Sequence, residues 1–329
     1  MGVSFEDVVQ AHHRIKEWVV RTPVRRCDAL DRWAGCKVFF KCENLQHIGA
    51  FKARGAYARL TQLTPLEKIC GVVAYSSGNH AQAVALAARS FNVQATLVMP
   101  RDAPELKIAS TRALGGQVIL YDRLTENREA IAQRICSQQG AVLVPPFDDD
   151  PIIAGQGTLA LEFLQEVPGL TLIATPCGGG GLLSGVAVAA RGINPKIRLW
   201  GVEPETGNDM QKSLQQGYRV TISVPHTIAD ALQTTKPGAK TFPIIRERVE
   251  GIATVTDDQL KKAIAVAWTQ MGLRVEPGGA AALAALLAAR LPVKPDDAVG
   301  IVLSGGNIDP LQFTEWTGEG KGNRIDIDR

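Results

Sequence analysis

Residues 172–191 read LIATPCGGGGLLSGVAVAAR, so an apolar run is joined to an Ala-rich run through four consecutive glycines. This pattern predicts a buried strand, a loop at Gly178–Gly181 and a helix that begins directly after the loop. Four adjacent glycines cost backbone entropy that a tight strand-to-helix turn, the simpler alternative, does not require. Their N–H groups can converge on an anion at the helix N-terminus. The stretch therefore predicts a phosphate-binding loop.

The loop does not match either of the common nucleotide-binding patterns. The residues after Gly185 lack the Lys and Ser/Thr of a P-loop, and a GxGxxG spacing from Gly179 ends on Ser184. Glu203, however, follows at about the distance expected for an acid that binds a ribose. A nicotinamide-dependent oxidoreductase therefore stays open here, beside an enzyme with a smaller phosphate-bearing cofactor.

Strand-like and helix-like runs alternate along most of the 329 residues, which predicts an α/β fold with mostly parallel sheets. At roughly 150 residues per domain, the length suits about two domains. Pro145-Pro146 and the acidic run at 148–150 mark a crossing between them, with the next helix predicted over residues 157–165. We expect residues 1–70 and 149–329 to form a large cofactor-binding domain, and residues 71–148 a small α/β domain.

The composition excludes several classes of protein. Lys and Arg number 36 against 33 Asp and Glu, and aromatic residues make up 5% of the chain, which is atypical of a nucleic-acid binder. The longest apolar run, residues 278–289, is shorter than the roughly 20 residues of a bilayer span. Glu6 and Asp7 lie where a signal peptide is apolar. We expect a cytoplasmic protein with neither nucleic-acid nor membrane partners, whose six cysteines are mostly buried free thiols.

Lys52 lies in the segment GAFKARGA, residues 49–56, close to the start of a helix predicted over residues 51–63. Apolar neighbours and a helix N-terminus both disfavour the ammonium form and lower the pKa of a lysine. A lysine in this state can form a Schiff base with a carbonyl compound. Taken alone, the segment is also compatible with a solvated surface lysine.

Five segments occur in order along the chain: GAFKARGA (49–56), SSGNH (76–80), GQGT (155–158), GGGG (178–181) and SGGN (304–307). Together they resemble the fold-type II pyridoxal-phosphate (PLP) enzymes, specifically the serine/threonine dehydratase (ammonia-lyase) and serine racemase group. The similarity extends from Thr22 to Asp309. It implies a fold like that of the tryptophan synthase β subunit, in which two α/β domains with mostly parallel sheets hold the active site between them.

The resemblance also implies roles for individual residues. Lys52 would carry PLP and move the α proton, and Ser77 would be a second acid/base or, alternatively, a hydroxyl that only binds substrate. The residues implied at the cofactor are Phe51, Lys52, Asn79 at the ring hydroxyl, Gly178, Gly179, Gly180, Gly181 and Leu182 at the phosphate, and Ser304 at the pyridine nitrogen. Those implied at the substrate are Ser76, Ser77, Asn79, His80 and Arg128, although His80 equally suits a packed histidine.

Residues 201–209, GVEPETGND, resemble the divalent-cation site of serine racemases and 3-hydroxyaspartate dehydratases. The implied ligands are the carboxylates of Glu203 and Asp209 and the carbonyl of Gly207. Oxygen ligands suit Mg²⁺ or Ca²⁺. If Glu203 binds a cation, it no longer supports a ribose-binding site. The alternative to a cation site is a solvated acidic turn.

The function implied is that of a homodimeric PLP-dependent ammonia-lyase, which converts serine, threonine or 3-hydroxyaspartate to a 2-oxo acid and ammonia. The alternatives are a serine-type racemase with lyase side activity, the nicotinamide oxidoreductase, and a non-catalytic protein that binds PLP. Two departures leave the substrate open: Ala50 replaces a serine common in the family, and Ala231 stands where the racemases have glycine.

Overall fold

The computed structural model describes residues 2–319, whose strands form two sheets. The first sheet contains, in spatial order, β1 (Val24–Arg26), β2 (Lys37–Cys42), β10 (Ala298–Leu303), β7 (Leu172–Pro176), β8 (Arg198–Pro204) and β9 (Gly251–Val255). The second contains β5 (Gln117–Tyr121), β4 (Ala95–Pro100), β3 (Val72–Tyr75) and β6 (Val142–Leu143). Strand β1 pairs with β2 antiparallel, and the other neighbouring strands pair in parallel.

Helices cover both sheets, as parallel sheets require. In chain order they are α1 (Phe5–Ile15), α2 (Asp28–Ala34), α3 (Lys52–Leu60), α4 (Pro65–Cys70), α5 (Asn79–Ser90), α6 (Glu105–Ala113), α7 (Arg128–Gln139), α8 (Asp150–Glu166), α9 (Gly181–Ile193), α10 (Asp209–Gln216), α11 (Thr241–Arg248), α12 (Asp257–Met271), α13 (Pro277–Leu287) and α14 (Pro310–Thr317). Within residues 2–319, none of these helices combines the length and apolarity that crossing a bilayer needs.

The prediction that a helix begins near residue 157 is wrong, because α8 begins at Asp150. The side chain of Asp149 accepts a hydrogen bond from the backbone N–H of Ile152 at 3.1 Å, and Pro151 occupies the first turn. An N-terminal cap and an early proline are both typical of helix starts. The acidic run therefore begins a helix, and the GQGT segment lies inside that helix.

The glycines of the GQGT segment allow close contact between helices. A Cβ on Gly155 would lie 2.7 Å from the Arg54 carbonyl oxygen in α3, and one on Gly157 would lie 2.6 Å from the Gly185 carbonyl oxygen in α9. Backbone at these distances leaves no room for a side chain. Helix α8 therefore holds α3, which begins at Lys52, next to α9, which follows the glycine loop.

A buried cluster of four charged side chains lies beneath α3. The Arg54 guanidinium donates to Glu43 at 2.8 Å and to Glu162 at 2.7 Å, and the Lys41 ammonium donates to Glu162 at 2.7 Å. All four residues are at most 2% exposed, and their formal charges cancel. Buried charges require such pairing because leaving one unpaired in the interior is costly. Arg54 is two residues after Lys52 in α3, so the cluster links the start of α3 to Glu162 in α8 and to Lys41 in β2.

Candidate active site

One cavity lies where the carboxyl ends of three strands meet. The chain continues from β3 into Ser76–His80, from β7 into Gly178–Gly181, and from β10 into Ser304. The cavity is open to solvent, contains about 980 Å³ of empty space including its open mouth, and is lined by residues that follow strands of both sheets. Ligands of parallel α/β proteins bind at this end of the strands.

The residues implied at the cofactor and the substrate all line this cavity. They are Phe51, Lys52, Ser76, Ser77, Asn79, His80, Arg128, Gly178, Gly179, Gly180, Gly181, Leu182 and Ser304. The three residues implied at the cation are not among the lining residues. Folding thus brings together segments that are far apart in the chain, while the roles of the individual residues stay predictions.

Lys52 begins helix α3, and its side chain extends into the cavity. The Lys52 ammonium donates to the Pro146 carbonyl at 2.5 Å, and among residues 2–319 it has no carboxylate partner. Burial lowers the pKa of Lys52 from 10.5 to about 8. The side chain is therefore a candidate nucleophile and base at neutral pH.

The glycine loop leads into the N-terminus of α9 as predicted. Gly180 has a φ of +96°, and a Cβ there would lie 2.8 Å from both Thr241 Oγ1 and Ile245 Cδ1, so only glycine fits. Thr241 donates to the Gly179 carbonyl at 2.6 Å, which fixes the orientation of the loop. None of the hydrogen bonds described within residues 2–319 uses the N–H groups of residues 178–180 as donors. These groups can therefore bind an anion at the helix N-terminus.

Asn79 contacts side chains on the opposite side of the cavity. Its Nδ2 donates to Glu276 Oε1 at 2.5 Å, and its Oδ1 accepts from Asn307 Nδ2 at 2.9 Å. Glu276 is 1% exposed, and burial raises its pKa to about 7 even though the Lys107 ammonium opposes the shift. Lys107 in turn donates to Asp230 at 2.5 Å.

Sequence reasoning missed Lys107, Asp230 and Glu276, all of which line the cavity. Glu276 directly precedes α13, a position where an acidic residue ordinarily suggests a helix cap, and Lys107 lies in an amphipathic helix. Their local sequence carries no signal of a shared site. The three residues meet only because loops from both sheets converge on the cavity.

His80 is 1% exposed, and its Nε2 donates to the Val144 carbonyl at 2.9 Å. Burial, with a smaller contribution from Lys52, lowers the pKa of His80 to about 3. The imidazole is therefore neutral at physiological pH, with Nε2 carrying the proton and Nδ1 able to accept a hydrogen bond. His80 both packs in the core and lines the cavity, so the two alternatives for this residue are compatible.

Arg128 begins α7, and its guanidinium carbon lies 5.3 Å from the centre of the Tyr75 ring. Within residues 2–319 it has no carboxylate partner, in contrast to Arg123, which also lines the cavity and pairs with Asp102 at 3.1 Å. A guanidinium that lies over an aromatic ring still has N–H donors, in the plane of the guanidinium group, available for other partners. Arg128 is therefore a cation that can bind a ligand carboxylate.

Glu203 and Asp209 are both fully buried. The Glu203 carboxylate accepts from the backbone N–H groups of Met210 at 3.0 Å and Gln211 at 2.9 Å, whereas Asp209 Oδ2 has no hydrogen-bond partner within residues 2–319. Burial raises the pKa of Asp209 to about 7, and burial together with Asp209 raises that of Glu203 well above its usual value. Two carboxylates that resist ionising, with one free oxygen, are compatible with a site for a cation.

The fold and the cavity together define a class of protein. A reactive lysine and an anion-binding glycine loop, both at the carboxyl ends of parallel strands, define an α/β enzyme whose cofactor has a carbonyl group and a phosphate. The profile of the family described as pyridoxal-phosphate dependent enzyme matches residues 15–305. The chain belongs to this family.

Individual relatives agree with this assignment. The chain is 47% identical to an L-threo-3-hydroxyaspartate ammonia-lyase of Saccharomyces cerevisiae, over 94% of this chain and 95% of that protein. It is 45% identical to a serine racemase of Schizosaccharomyces pombe, over 95% and 97% of the two chains. The structure of maize serine racemase matches with a TM-score of 0.92 and 38% identity, covering 98% of each chain.

These comparisons confirm the predicted family, the fold class and the dependence on PLP. They also confirm the prediction of an enzyme of the ammonia-lyase type, since several relatives with over 40% identity have this activity. The nicotinamide alternative is wrong because the cofactor of the family is PLP.

Proposed function

We propose that this protein is an ammonia-lyase for 3-hydroxyaspartate, which it converts to a four-carbon 2-oxo dicarboxylic acid and ammonia. The observation that carries the proposal is Arg128, a cavity-lining cation with no carboxylate partner within residues 2–319. A substrate with a second carboxylate supplies that partner, whereas serine and threonine do not. The proposal is further supported by two relatives at 46–47% identity, whose names specify the L-threo isomer.

We propose that the loop at Ser76–His80 binds the α-carboxylate of the substrate. The loop lies at the N-terminus of α5, a helix of 12 residues, where backbone N–H groups and the helix dipole favour an anion. Its two serine hydroxyls are half-buried and line the cavity. With Arg128 at the other carboxylate, a dicarboxylic substrate would be held at both ends, and so in one orientation.

The cavity residues fit PLP. The glycine loop has free N–H donors for the phosphate, Lys52 has an amine for the aldehyde, and Asn79 has a spare amide N–H for the ring oxygen. Ser304 is 5% exposed and lines the cavity, and we assign it to the pyridine nitrogen. Bound PLP supplies the electron sink that makes the α proton of an amino acid acidic.

Lys52 is the group that we propose moves the α proton. With a pKa of about 8, a useful fraction of its amine is unprotonated at neutral pH, and its conjugate acid can return a proton. Loss of the β-hydroxyl as water and later hydrolysis leave the 2-oxo acid and ammonia. Ser304 offers a neutral hydroxyl rather than a carboxylate, which weakens the electron withdrawal of the ring and favours elimination over transamination.

We propose that Glu203, the Gly207 carbonyl and Asp209 bind Mg²⁺ or Ca²⁺. The unpartnered Asp209 Oδ2 supports this site, since a cation would compensate the two buried carboxylates. Thr234, which lines the cavity, donates to Asp209 Oδ1 at 3.2 Å and so connects the two sites. The cation would then stabilise the segment that contains Asp230 and Ala231.

The test is release of 2-oxo acid from purified enzyme with Mg²⁺, across the 3-hydroxyaspartate stereoisomers, serine and threonine. We expect Arg128→Met to raise KM for 3-hydroxyaspartate by about 10- to 100-fold, because it removes a charged hydrogen bond, and to change serine turnover little. Arg123→Met is the matched control, since that arginine already has a carboxylate partner. Equal losses on both substrates would refute a role in side-chain recognition.

Racemisation is a second candidate activity, supported by the serine racemases among the relatives and by Ser77, which lines the cavity. As a second acid/base, the Ser77 hydroxyl would deliver a proton to the α carbon from the side of the substrate opposite to Lys52. Ser77→Ala should then suppress racemisation and spare elimination of the L-substrate. If both activities fall together, Ser77 is a substrate-binding residue.

We also propose that residues 1–70 and 149–329 form the large domain and residues 71–148 the small domain. The strands of the second sheet all lie between Val72 and Leu143, which supports this division. We propose a homodimer on the family resemblance alone, to be tested by light scattering of the purified protein. A cytoplasmic location is supported by six free cysteines, four of which are buried.

A further inference from the structure

Four polar contacts join the two sides of the cavity. Lys107 and Asn79 lie on helices that follow strands of the second sheet, whereas Asp230, Glu276 and Asn307 lie in segments attached to the first. The Lys107 ammonium is 2.5 Å from Asp230 and 3.8 Å from Glu276. Asn79 contacts Glu276 at 2.5 Å and Asn307 at 2.9 Å. We call Lys107, Asn79, Asp230 and Glu276 together the cross-cavity bridge.

The bridge runs from the protein surface into the interior. The side chain of Asp230 is 30% exposed, that of Lys107 is 7% exposed and that of Glu276 is 2% exposed. The aliphatic part of Lys107 lies over Gly78, where a Cβ would be 2.6 Å from Lys107 Cδ. Lys107 is therefore held against the loop that contains Asn79, with its charge directed at carboxylates on the other side.

The hydrogen bonds of Asn79 determine which end of its amide faces which partner. Asn307 Nδ2 donates both to the Ile48 carbonyl at 2.7 Å and to Asn79 Oδ1. A carbonyl can only accept, so Asn307 must present its NH₂ group and Asn79 its oxygen. The Nδ2 of Asn79 then donates one hydrogen to Glu276, and its second hydrogen is left for a ligand in the cavity.

The carboxylate form of Glu276 favours this orientation, because both of its oxygens can only accept, whereas a protonated carboxyl carries an O–H donor that can compete for Asn79 Oδ1. The charged groups that act on Glu276 are Lys107, which lowers its pKa, and Asp230, which raises it. Burial is the largest cause, and with Lys107 in place the pKa of Glu276 is about 7. Removing Lys107 would raise this pKa further, so Glu276 would be mostly protonated at neutral pH.

We propose that Lys107 is a positioning residue for the cofactor: it favours the carboxylate form of Glu276, and that carboxylate holds the Asn79 amide with an N–H group directed to the cavity. The inference rests on the role proposed above for Asn79 at the PLP ring oxygen. Lys107 and Glu276 belong to opposite sides of the cavity, so this arrangement forms only when the two sides are close. The binding of PLP therefore depends on residues from both sides of the cavity.

The test is a PLP titration of the apo-enzyme across pH, followed by the visible absorption of the bound cofactor. We expect Lys107→Met to weaken PLP binding about tenfold at neutral pH, the effect of one lost hydrogen bond to a charged group, and Lys107→Arg to restore most of it. Glu276→Gln should abolish the loss of affinity that accompanies protonation near pH 7. Adding Lys107→Met to Glu276→Gln should cause little further loss.

Asp230→Asn should change the pH dependence of PLP binding in the direction opposite to that of Lys107→Met. Because the Asp230 side chain is partly exposed, we expect this variant to fold. Removing this negative charge should lower the pH at which affinity falls, and so strengthen PLP binding near pH 6, which a merely structural role does not predict. Lys240→Met, which breaks an exposed pair with Asp150, is the control and should change neither quantity. Thermal unfolding of each variant verifies that it is folded.

The proposal is overturned if Asp230→Asn and Lys107→Met leave the pH profile of PLP binding unchanged, or if the losses from Lys107→Met and Glu276→Gln add. Asn79→Ala separates this result from a failure of the proposed site. If Asn79→Ala binds PLP as tightly as the wild type, the assignment of Asn79 to the cofactor is itself wrong. If it binds weakly while the Lys107 variants bind normally, only the coupling through Lys107 is refuted.

Discussion

Lys52 should be far more reactive than a surface lysine in the apo-enzyme. Burial lowers its pKa from 10.5 to about 8 because the cavity offers the ammonium one carbonyl and, within residues 2–319, no carboxylate. Near pH 7.5, roughly a quarter of such a lysine is neutral, against roughly 0.1% of one with a pKa of 10.5. The neutral, nucleophilic population is therefore about 200-fold larger.

The assay is competitive labelling of apo-enzyme with a trace of an amine-reactive acylating reagent between about pH 6 and 11. Mass spectrometry of the peptide that contains Lys52 gives its labelling rate at each pH, and the peptide with the exposed Lys196 serves as the internal reference. We expect the Lys52 rate to reach half of its maximum near pH 8. Prior loading with PLP and reduction by borohydride should protect Lys52 and leave Lys196 unaffected.

A midpoint at pH 10 or above would show that solvent or an unseen anion stabilises the Lys52 ammonium. The argument from burial would then be refuted, whatever the catalytic role of the lysine. If borohydride attached PLP to another lysine, the assignment of Lys52 as the cofactor-bearing residue would be refuted separately.

Three further predictions concern the loop, the buried charges and the cation segment. Gly180→Ala should weaken PLP binding at least about tenfold, because its Cβ would crowd α11. Glu162→Gln should lower the free energy of unfolding by about 3–5 kcal/mol, since it leaves buried cations unpaired. Without divalent cation, the contribution of Asp209 to stability should fall as pH rises from about 4 to about 7, because the folded chain binds a proton at Asp209 more tightly than the unfolded chain does. Asp209→Asn should remove that fall.

Each of these predictions has a direct measurement and control. For the loop, Gly217→Ala shares a positive φ of +79° but has open space around the Cβ, so equal effects on PLP titration would contradict the crowding argument. For Glu162, urea unfolding with a loss under 1 kcal/mol would show that its charge is compensated elsewhere. For Asp209, the measurement is thermal unfolding across pH with and without Mg²⁺. If Asp209→Asn has the same dependence of thermal stability on pH as the wild type, the buried-carboxylate argument is refuted.

The sequence determined the features that depend on local chemistry. The strand, glycine loop and helix around Gly178–Gly181 were predictable because the four glycines and the apolar residues that define these elements are adjacent in the sequence. The start of α7 at Arg128 also agrees with the sequence pattern. Five motifs in order were specific enough to indicate the family and its cofactor. The predicted start of α8 is wrong, because Gly155 and Gly157 lie inside this helix, where they permit close contact with α3 and α9.

Only the tertiary structure determined which charged groups meet in the cavity and how their pKa values are shifted. Lys107, Asp230 and Glu276 are distant in the chain and lie in ordinary local sequence, so their mutual distances depend on how the two sheets face each other. The same holds for the pKa values of Lys52 and Glu276, which are shifted chiefly by burial. Burial is a property of the whole packed chain: the residue type supplies the charge, and the fold decides how much water and which opposite charges surround it.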